Sequence, residues 1–225
     1  MSQAPSQPWQ GARTQLYTYV LSGDAGGDSG DGGSPARAQA RRALAALLRE
    51  IQAGQPTSGV PERELLARTN QFVVPARGYT QGPLTLAQYD FALSAAHLNR
   101  FRLVLDSPDQ QDRLAGLGPF FIATRKPLYE LVHQGADGRW IVDTASPILL
   151  VDMTRAHPDA MATYTNTYRD AVRAALPEST TTLAPLRARF ASALLKTAEA
   201  VPMVAEAYAS TAKLLKPMGA GGNPP

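Results

Sequence analysis

The sequence predicts an α/β protein, with α+β as the alternative, built on a mixed sheet of about five or six strands flanked by helices. Short apolar runs that suit strands alternate with longer segments whose apolar residues recur every three or four positions, as in helices that bury one face. One pair of strands suits a hairpin, which breaks strict strand–helix alternation and makes the sheet mixed. Apolar residues form 44% of the chain, which is enough for a core.

A stretch rich in glycine and aspartate joins the first strand to the first helix. The run LYTYVL, Leu16–Leu21, is aromatic and β-branched and predicts a strand. The stretch SGDAGGDSGDGGS after it matches neither G-x-G-x-x-G nor the lysine-containing phosphate loop, and its aspartates would repel a phosphate. Their spacing also differs from that of an EF-hand calcium loop. We therefore interpret residues 22–34 as a flexible loop that acts as a spacer.

The helix after this loop has the clearest pattern in the chain. Ser34 can cap it, and Pro35 suits its first position. Its apolar positions fall on one stripe: Ala40, Ala43, Leu44, Leu47, Leu48 and Ile51. A later helix is predicted after a capping box formed by Thr85 and Gln88, with Leu93 on its buried face.

The remaining strands are predicted from apolar or alternating runs. Single strands suit residues 72–74, 101–106, 119–124 and 147–152. The segment LYELVHQGADGRWIVDT suits a hairpin that turns at an Asp-Gly pair. The last run is continuously apolar, which is typical of a strand buried on both faces.

The C-terminal part is helical and rich in alanine. One helix is predicted between Pro158 and Pro177, and a further helical region begins near Thr182 and should break at Pro202. The expected organisation is a flexible tail at residues 1–14, an α/β domain at 15–178, a C-terminal helical arm at 179–218 and a disordered tail at 219–225.

Composition excludes several classes of protein. The chain of 225 residues has a net charge of +3 and lacks the basic stripe of a nucleic-acid binder. It has no cysteine, and its three histidines do not have metal-ligand spacing, so we expect no metal and no cofactor. No apolar run approaches the roughly 20 residues of a membrane-spanning helix, so we expect no membrane insertion.

The same features bear on source and compartment. High alanine, glycine and arginine content is typical of a GC-rich bacterial genome. The N-terminus lacks the pattern of a signal peptide, so we expect a cytoplasmic protein, or a periplasmic or envelope-associated one if an export signal has been removed.

Two apolar runs end in aspartate just before the start of a predicted helix. Asp106 and Asp152 hold these positions, and His157 follows the second. Ligands of sheet proteins gather beyond the carboxyl ends of strands, where Asp152 could act as a base and His157 could move a proton. Aspartates at such positions also cap helices, and capping is the favoured interpretation of both.

A third strand end carries Thr124 and Arg125. A hydroxyl beside an arginine could hold a carboxylate or a phosphate, and Thr154 could complete such a ligand-binding set. An ordinary solvated strand end explains these residues as well and is favoured.

The leading hypothesis is a non-catalytic interaction or assembly module whose C-terminal helices contact another protein or a second copy of the chain. The predicted contact residues are Phe190, Leu194, Tyr208 and Leu215. One alternative is a hydrolase or transferase that acts on a small anionic ligand at the strand ends. Another is a component of the envelope or of a secretion apparatus. Whether the protein is an enzyme stays open, with the balance against it.

Overall fold

The computed structural model describes residues 16–24, 34–53, 70–78, 82–105, 107–175 and 182–200, with side chains up to residue 194 in the last segment. These residues form a mixed α/β fold, as the sequence predicts, with the strands divided between two sheets. The predicted tails at 1–14 and 219–225 lie outside the described residues, as do Tyr208 and Leu215.

The larger sheet has four strands in the order β2-β1-β3-β6. These strands are β1 (Leu16–Leu21), β2 (Asn70–Val73), β3 (Phe120–Thr124) and β6 (Ile148–Asp152). Strand β2 runs parallel to β1, whereas β3 is antiparallel to both β1 and β6. Strands β1, β2 and β6 therefore all end at the same edge of the sheet.

The smaller sheet is the predicted hairpin, although Leu128–Leu131, predicted as the start of its first arm, form a helix. It consists of β4 (Val132–Gln134) and β5 (Trp140–Val142), paired antiparallel. Gly138 in its turn has a φ of +77°, a conformation that favours glycine because it has no Cβ. The Asp-Gly signal therefore located the turn correctly.

Six α-helices occur in the described residues. They are α1 (Pro35–Ala53), α2 (Phe91–Val104), α3 (Pro108–Arg113), α4 (Leu128–Leu131), α5 (Met161–Ala175) and α6 (Ala184–Ala200). A short 3-10 helix, Pro158–Ala160, leads into α5.

The helices cover the two faces of the sheet as separate layers. Leu16 and Val20 of β1 point into an apolar cluster with α1, α5 and α6, which we call the first layer. Tyr19 and Leu21 alternate to the other face and pack with α2, α4 and the hairpin, the second layer. The fold thus has a core on each side of one sheet.

One predicted strand is wrong. Residues 101–104 belong to α2 because Phe91, Ser94, Leu98 and Phe101 are buried at helical spacing. The Asp90 side chain accepts a hydrogen bond from the N–H of Leu93 and caps this helix. Packing of a whole helical face outweighs the strand preference of a short apolar run.

The predicted capping box forms, but the helix starts later than expected. The N–H of Thr85 donates to Oε1 of Gln88 at 2.9 Å, and this bond closes only one turn. Tyr89 then makes an isolated β-bridge to Ala76 and is fully buried. This pairing interrupts the helix, which begins only at Phe91.

The start of the predicted glycine–aspartate loop is part of the folded body. Asp24 is fully buried, and its carboxylate accepts from Nε of Arg41 at 2.6 Å and lies 3.3 Å from Nε of Arg37. The N–H of Gly23 donates to the carbonyl of Leu117. These contacts fasten the beginning of α1 to the end of β1, while residues 25–33 lie outside the described residues.

Candidate functional site

The fold separates the predicted site residues into two groups at opposite edges of the larger sheet. In the pairing of β3 with β6, Phe120 faces Asp152, and Thr124 faces Ile148. Four residue steps at about 3.3 Å put the two edges roughly 13 Å apart. Asp152, Thr154 and His157 are therefore at one edge and Thr124 and Arg125 at the other, so one small ligand does not contact both groups.

Asp152 organises a turn. Its Oδ1 accepts hydrogen bonds from the N–H of Thr154 at 2.9 Å and from the hydroxyl of Thr154 at 2.5 Å. The Thr154 oxygen in turn accepts from the N–H of Gly118 at 3.1 Å, which ties this turn to the loop before β3. These bonds hold the turn that follows β6, and the cap of the next helix is His157 rather than Asp152.

His157 lies at the start of the 3-10 helix and is exposed. Its Nδ1 accepts from the N–H of Asp159 at 3.3 Å, which makes it a helix cap. Asp106 lies outside the described residues. Its neighbour Leu105 lines a cleft with Ile148, at the edge of the sheet opposite Asp152.

Thr124 and Arg125 are also held by the protein itself. The Thr124 side chain is fully buried, and its hydroxyl donates to the carbonyl of Lys126. Arg125 donates from Nη2 to the carbonyl of Thr182 at 3.4 Å, and burial lowers its pKa. Arg125 thus connects the end of β3 to the segment that leads into α6.

The predicted contact residues Phe190 and Leu194 are core residues in this fold. Both are fully buried in the first layer, and the Phe190 ring meets that of Tyr168 edge-on at 5.5 Å. Their stripe faces α5 because α6 packs against that helix. A contact role for the C-terminal part stays a prediction for residues beyond them.

A different surface has the features of a contact site, and sequence reasoning missed it. The large hydrophobic residues that are exposed in the described part of the chain all belong to the second layer. They are Leu93 (40% exposed), Leu103 (50%), Tyr129 (59%), Trp140 (49%) and Ile141 (51%). Together with Arg100, we call them the α2–hairpin surface.

Helix α2 carries two apolar stripes. Phe91, Leu98 and Phe101 are on the buried stripe, whereas Leu93 and Leu103 are on an outer stripe with Ala96 and Arg100 between them. The sequence analysis placed Leu93 on the buried face, which is wrong. The signal that could have found the surface is the presence of leucines on both stripes of one helix.

The hairpin stands beside this outer stripe. The guanidinium of Arg100 lies 5.9 Å from the centre of the Trp140 ring, within the range of a cation–π contact. Trp140 pairs with Gln134, and Ile141 pairs with His133, so the two apolar side chains occupy opposite faces of the hairpin. Tyr129, on α4, adds an aromatic ring to the same layer.

Charges of both signs occur on the elements that form the α2–hairpin surface. Arg100 and Arg139 are cationic, and Glu130 and Asp137 are anionic. Nε of Arg139 lies 3.7 Å from the Asp137 carboxylate, and both side chains are largely exposed. The surface therefore has apolar and aromatic groups with charges of both signs around them.

Comparisons of the chain with protein-family models, with curated proteins and with solved structures found no match. In the described part of the chain, no three acidic or histidine side chains are grouped so that they could hold a metal ion. None of the helices described here has the length and apolar character needed to cross a membrane.

Proposed function

We propose that the protein is a non-catalytic assembly module that pairs with a second copy of itself through the α2–hairpin surface. The observation that carries the proposal is the one-sided distribution of exposed hydrophobic residues in the described fold, where every large one lies in the second layer. Exposed apolar groups that gather on one side of a protein are typical of interaction sites.

The kinds of residue support this proposal. Tryptophan, tyrosine and arginine are the residues that contribute most to binding energy at protein interfaces, and the surface has Trp140, Tyr129 and Arg100. The stacking of Arg100 on Trp140 holds both side chains in place before a partner arrives. Less side-chain entropy is then lost on binding.

The exposed apolar area can also be compared with the area of a standard protein interface. The five exposed hydrophobic side chains are each about half exposed. At about 200 Å² for a whole side chain they present roughly 500 Å² of surface. A standard interface covers about 800 Å² on each partner. Because Trp140 and Ile141 lie on opposite faces of the hairpin, these groups can supply part of its apolar centre.

The presence of both signs of charge supports a second copy as the partner. A surface with one sign of charge repels a copy of itself, whereas α2, α4 and the hairpin carry three arginines and two acidic residues. In a two-fold symmetric pair, residue i of one copy meets residue j of the other, and the reverse contact follows. Cations and anions of the same surface can therefore meet across the axis.

Sedimentation velocity of the full chain over a wide range of concentration tests the proposal. We expect the mass to rise towards that of a dimer as the concentration increases. Leu103→Glu places a charge on each copy's surface and should give a monomer at every concentration. Trp140→Ala should weaken the dimer by about tenfold or more.

The matched controls are on the first layer. Ala174→Glu and Arg173→Ala change exposed positions of α5 in the same chemical ways and should leave the dimer unchanged. Wild-type protein that stays monomeric at the highest concentration would contradict self-association. So would a dimer that survives both Leu103→Glu and Trp140→Ala.

A further inference from the structure

A cleft of about 270 Å³ lies at the edge of the sheet where β6 begins. The end of α2, the turn before β6 and the beginning of α6 form its walls. Val104, Ile148 and Leu183 supply an apolar wall, and Thr144, Gln110 and Arg187 supply polar groups. The cleft shares the end of α2 with the α2–hairpin surface, and binding in it does not depend on the proposed assembly.

Arg187 is the charged residue of this cleft. Its Nε is buried and has no hydrogen-bond acceptor among the described residues. Arg169 differs, because its guanidinium donates to the carbonyls of Glu50 and Ile51. A buried donor that lacks an acceptor is unfavourable, so Nε does not hold the side chain to the protein. Because Arg187 lines the cleft, a ligand there can supply acceptors to its guanidinium.

No acidic residue is among those that line the cleft in the described part of the chain. Asp143, which precedes Thr144, is not a lining residue, although it is bonded to Ser146 of the cleft wall. It accepts from Nζ of Lys126 at 2.7 Å and from the Ser146 hydroxyl at 2.7 Å, and these bonds lower its pKa to about 2. A second cation, Arg125, donates to the carbonyl of Thr182 in the cleft wall. Among the described residues, the lining charge is that of Arg187, which favours an anion.

We propose that this cleft binds a small monocarboxylate with an apolar body, such as an aromatic or branched-chain acid. The planar guanidinium of Arg187 suits a carboxylate, which accepts two parallel hydrogen bonds. The Thr144 hydroxyl and the Gln110 amide can donate further bonds. The apolar wall covers the body of the acid.

Size and polarity distinguish this ligand from other anions. A volume of about 270 Å³ is just below the usual 300–1,000 Å³ of small-molecule sites, so a nucleotide does not fit. Inorganic phosphate fits, but it has no apolar surface to place against Val104, Ile148 and Leu183. One lining arginine also balances one negative charge rather than two.

Titration of the ¹⁵N-labelled full chain with benzoate, followed by NMR, tests the proposal. We expect saturable shifts of the backbone signals of Thr144, Ile148 and Thr182, with a dissociation constant of about 1 mM for so small a ligand. Benzamide has the same shape without the charge and should bind at least about tenfold more weakly. Phosphate should give no saturable shift at these signals.

Variants at Arg187 test whether this residue binds the carboxylate of benzoate. Arg187→Ala should weaken benzoate binding at least about tenfold, and Arg187→Lys, which keeps the charge and loses the planar fork, should weaken it less. Arg173→Ala, an exposed arginine on α5, is the control. Thermal unfolding followed by circular dichroism confirms that each variant is folded. Equal binding of benzoate and benzamide, no saturable shift in the wild type, or unchanged affinity in Arg187→Ala would overturn the proposal.

Discussion

At the residue scale, the structure shows why polar residues that looked reactive are structural. Asp152 holds a turn through Thr154, and His157 caps a short helix. The sequence pattern predicted a helix cap at Asp152, because aspartate before a helix satisfies N–H groups that would otherwise lack a partner, but the cap of the next helix is His157. What it could not predict is their distance from Thr124 and Arg125, which depends on the antiparallel direction of β3.

Asp24 shows a different limit of sequence reasoning. Its surroundings of glycine and aspartate predicted a solvated loop, yet it is buried between two arginines of the next helix. A buried carboxylate needs such partners, and Arg37 and Arg41 lie four residues apart on one face of α1. That spacing is visible in the sequence, but the burial depends on the contact of Gly23 with the Leu117 loop.

His97 gives a prediction about pH at this scale. Desolvation lowers the pKa of this half-buried histidine below its ordinary 6.5, and the positive charge of Arg100 lowers it further, with Asp90 opposing them. The unfolded state therefore binds a proton at a higher pH than the folded state does. The contribution of the neutral histidine to stability is present above pH 6.5 and is lost as the pH falls through the lowered pKa.

Urea unfolding at about pH 7.5 and about pH 5 measures this effect. The free energy of unfolding of the wild type should fall more between the two values than that of His97→Gln. His133→Gln, at an exposed position of the hairpin, is the control and should behave like the wild type. Equal pH dependence in the wild type and in His97→Gln would contradict the prediction.

At the element scale, the periodic pattern predicted α1 and α5 well because each has one apolar stripe that faces the core. Helix α2 was harder to predict for two reasons. The residues predicted as its first turn are not part of it, because Tyr89 pairs with Ala76, and its outer face also carries leucines. A pattern shows which residues are apolar, and only the packed fold shows which of two apolar stripes is covered. The contact surface on α2 therefore could not be derived from the sequence.

Helix α6 yields a test of its place in the core. Phe190 is fully buried against Tyr168, so Phe190→Ala should lower the free energy of unfolding by about 3–5 kcal/mol, through lost burial and a remaining cavity. Leu93→Ala, at an exposed position of α2, should cost less than about 1 kcal/mol. Urea unfolding measures both values.

The same pair of variants separates stability from association. Phe190→Ala should leave the dimer intact under conditions where the protein stays folded, whereas Leu93→Ala should weaken the dimer. If Phe190→Ala abolished the dimer and left the free energy of unfolding unchanged, Phe190 would be a contact residue and its assignment to the core would be wrong.

At the scale of the whole molecule, the two layers differ in how completely they bury their large hydrophobic side chains. In the described residues, the first layer leaves some hydrophobic side chains partly buried but no large one exposed, whereas the second leaves Leu93, Leu103, Tyr129, Trp140 and Ile141 about half exposed. The mixed α/β class and the hairpin followed from periodicity and turn residues alone. The asymmetry between the layers depends on the tertiary packing, and it is what indicates a partner.

Hydrogen exchange of the full chain at low and at high protein concentration tests the central claim most directly. Amides in a contact surface exchange more slowly when it is occupied, and those elsewhere do not change. We predict greater protection at high concentration in residues 91–104 and 128–142, and no change in α1 and α5. Protection that rises only in residues 182–225, or nowhere, would contradict assembly through the α2–hairpin surface.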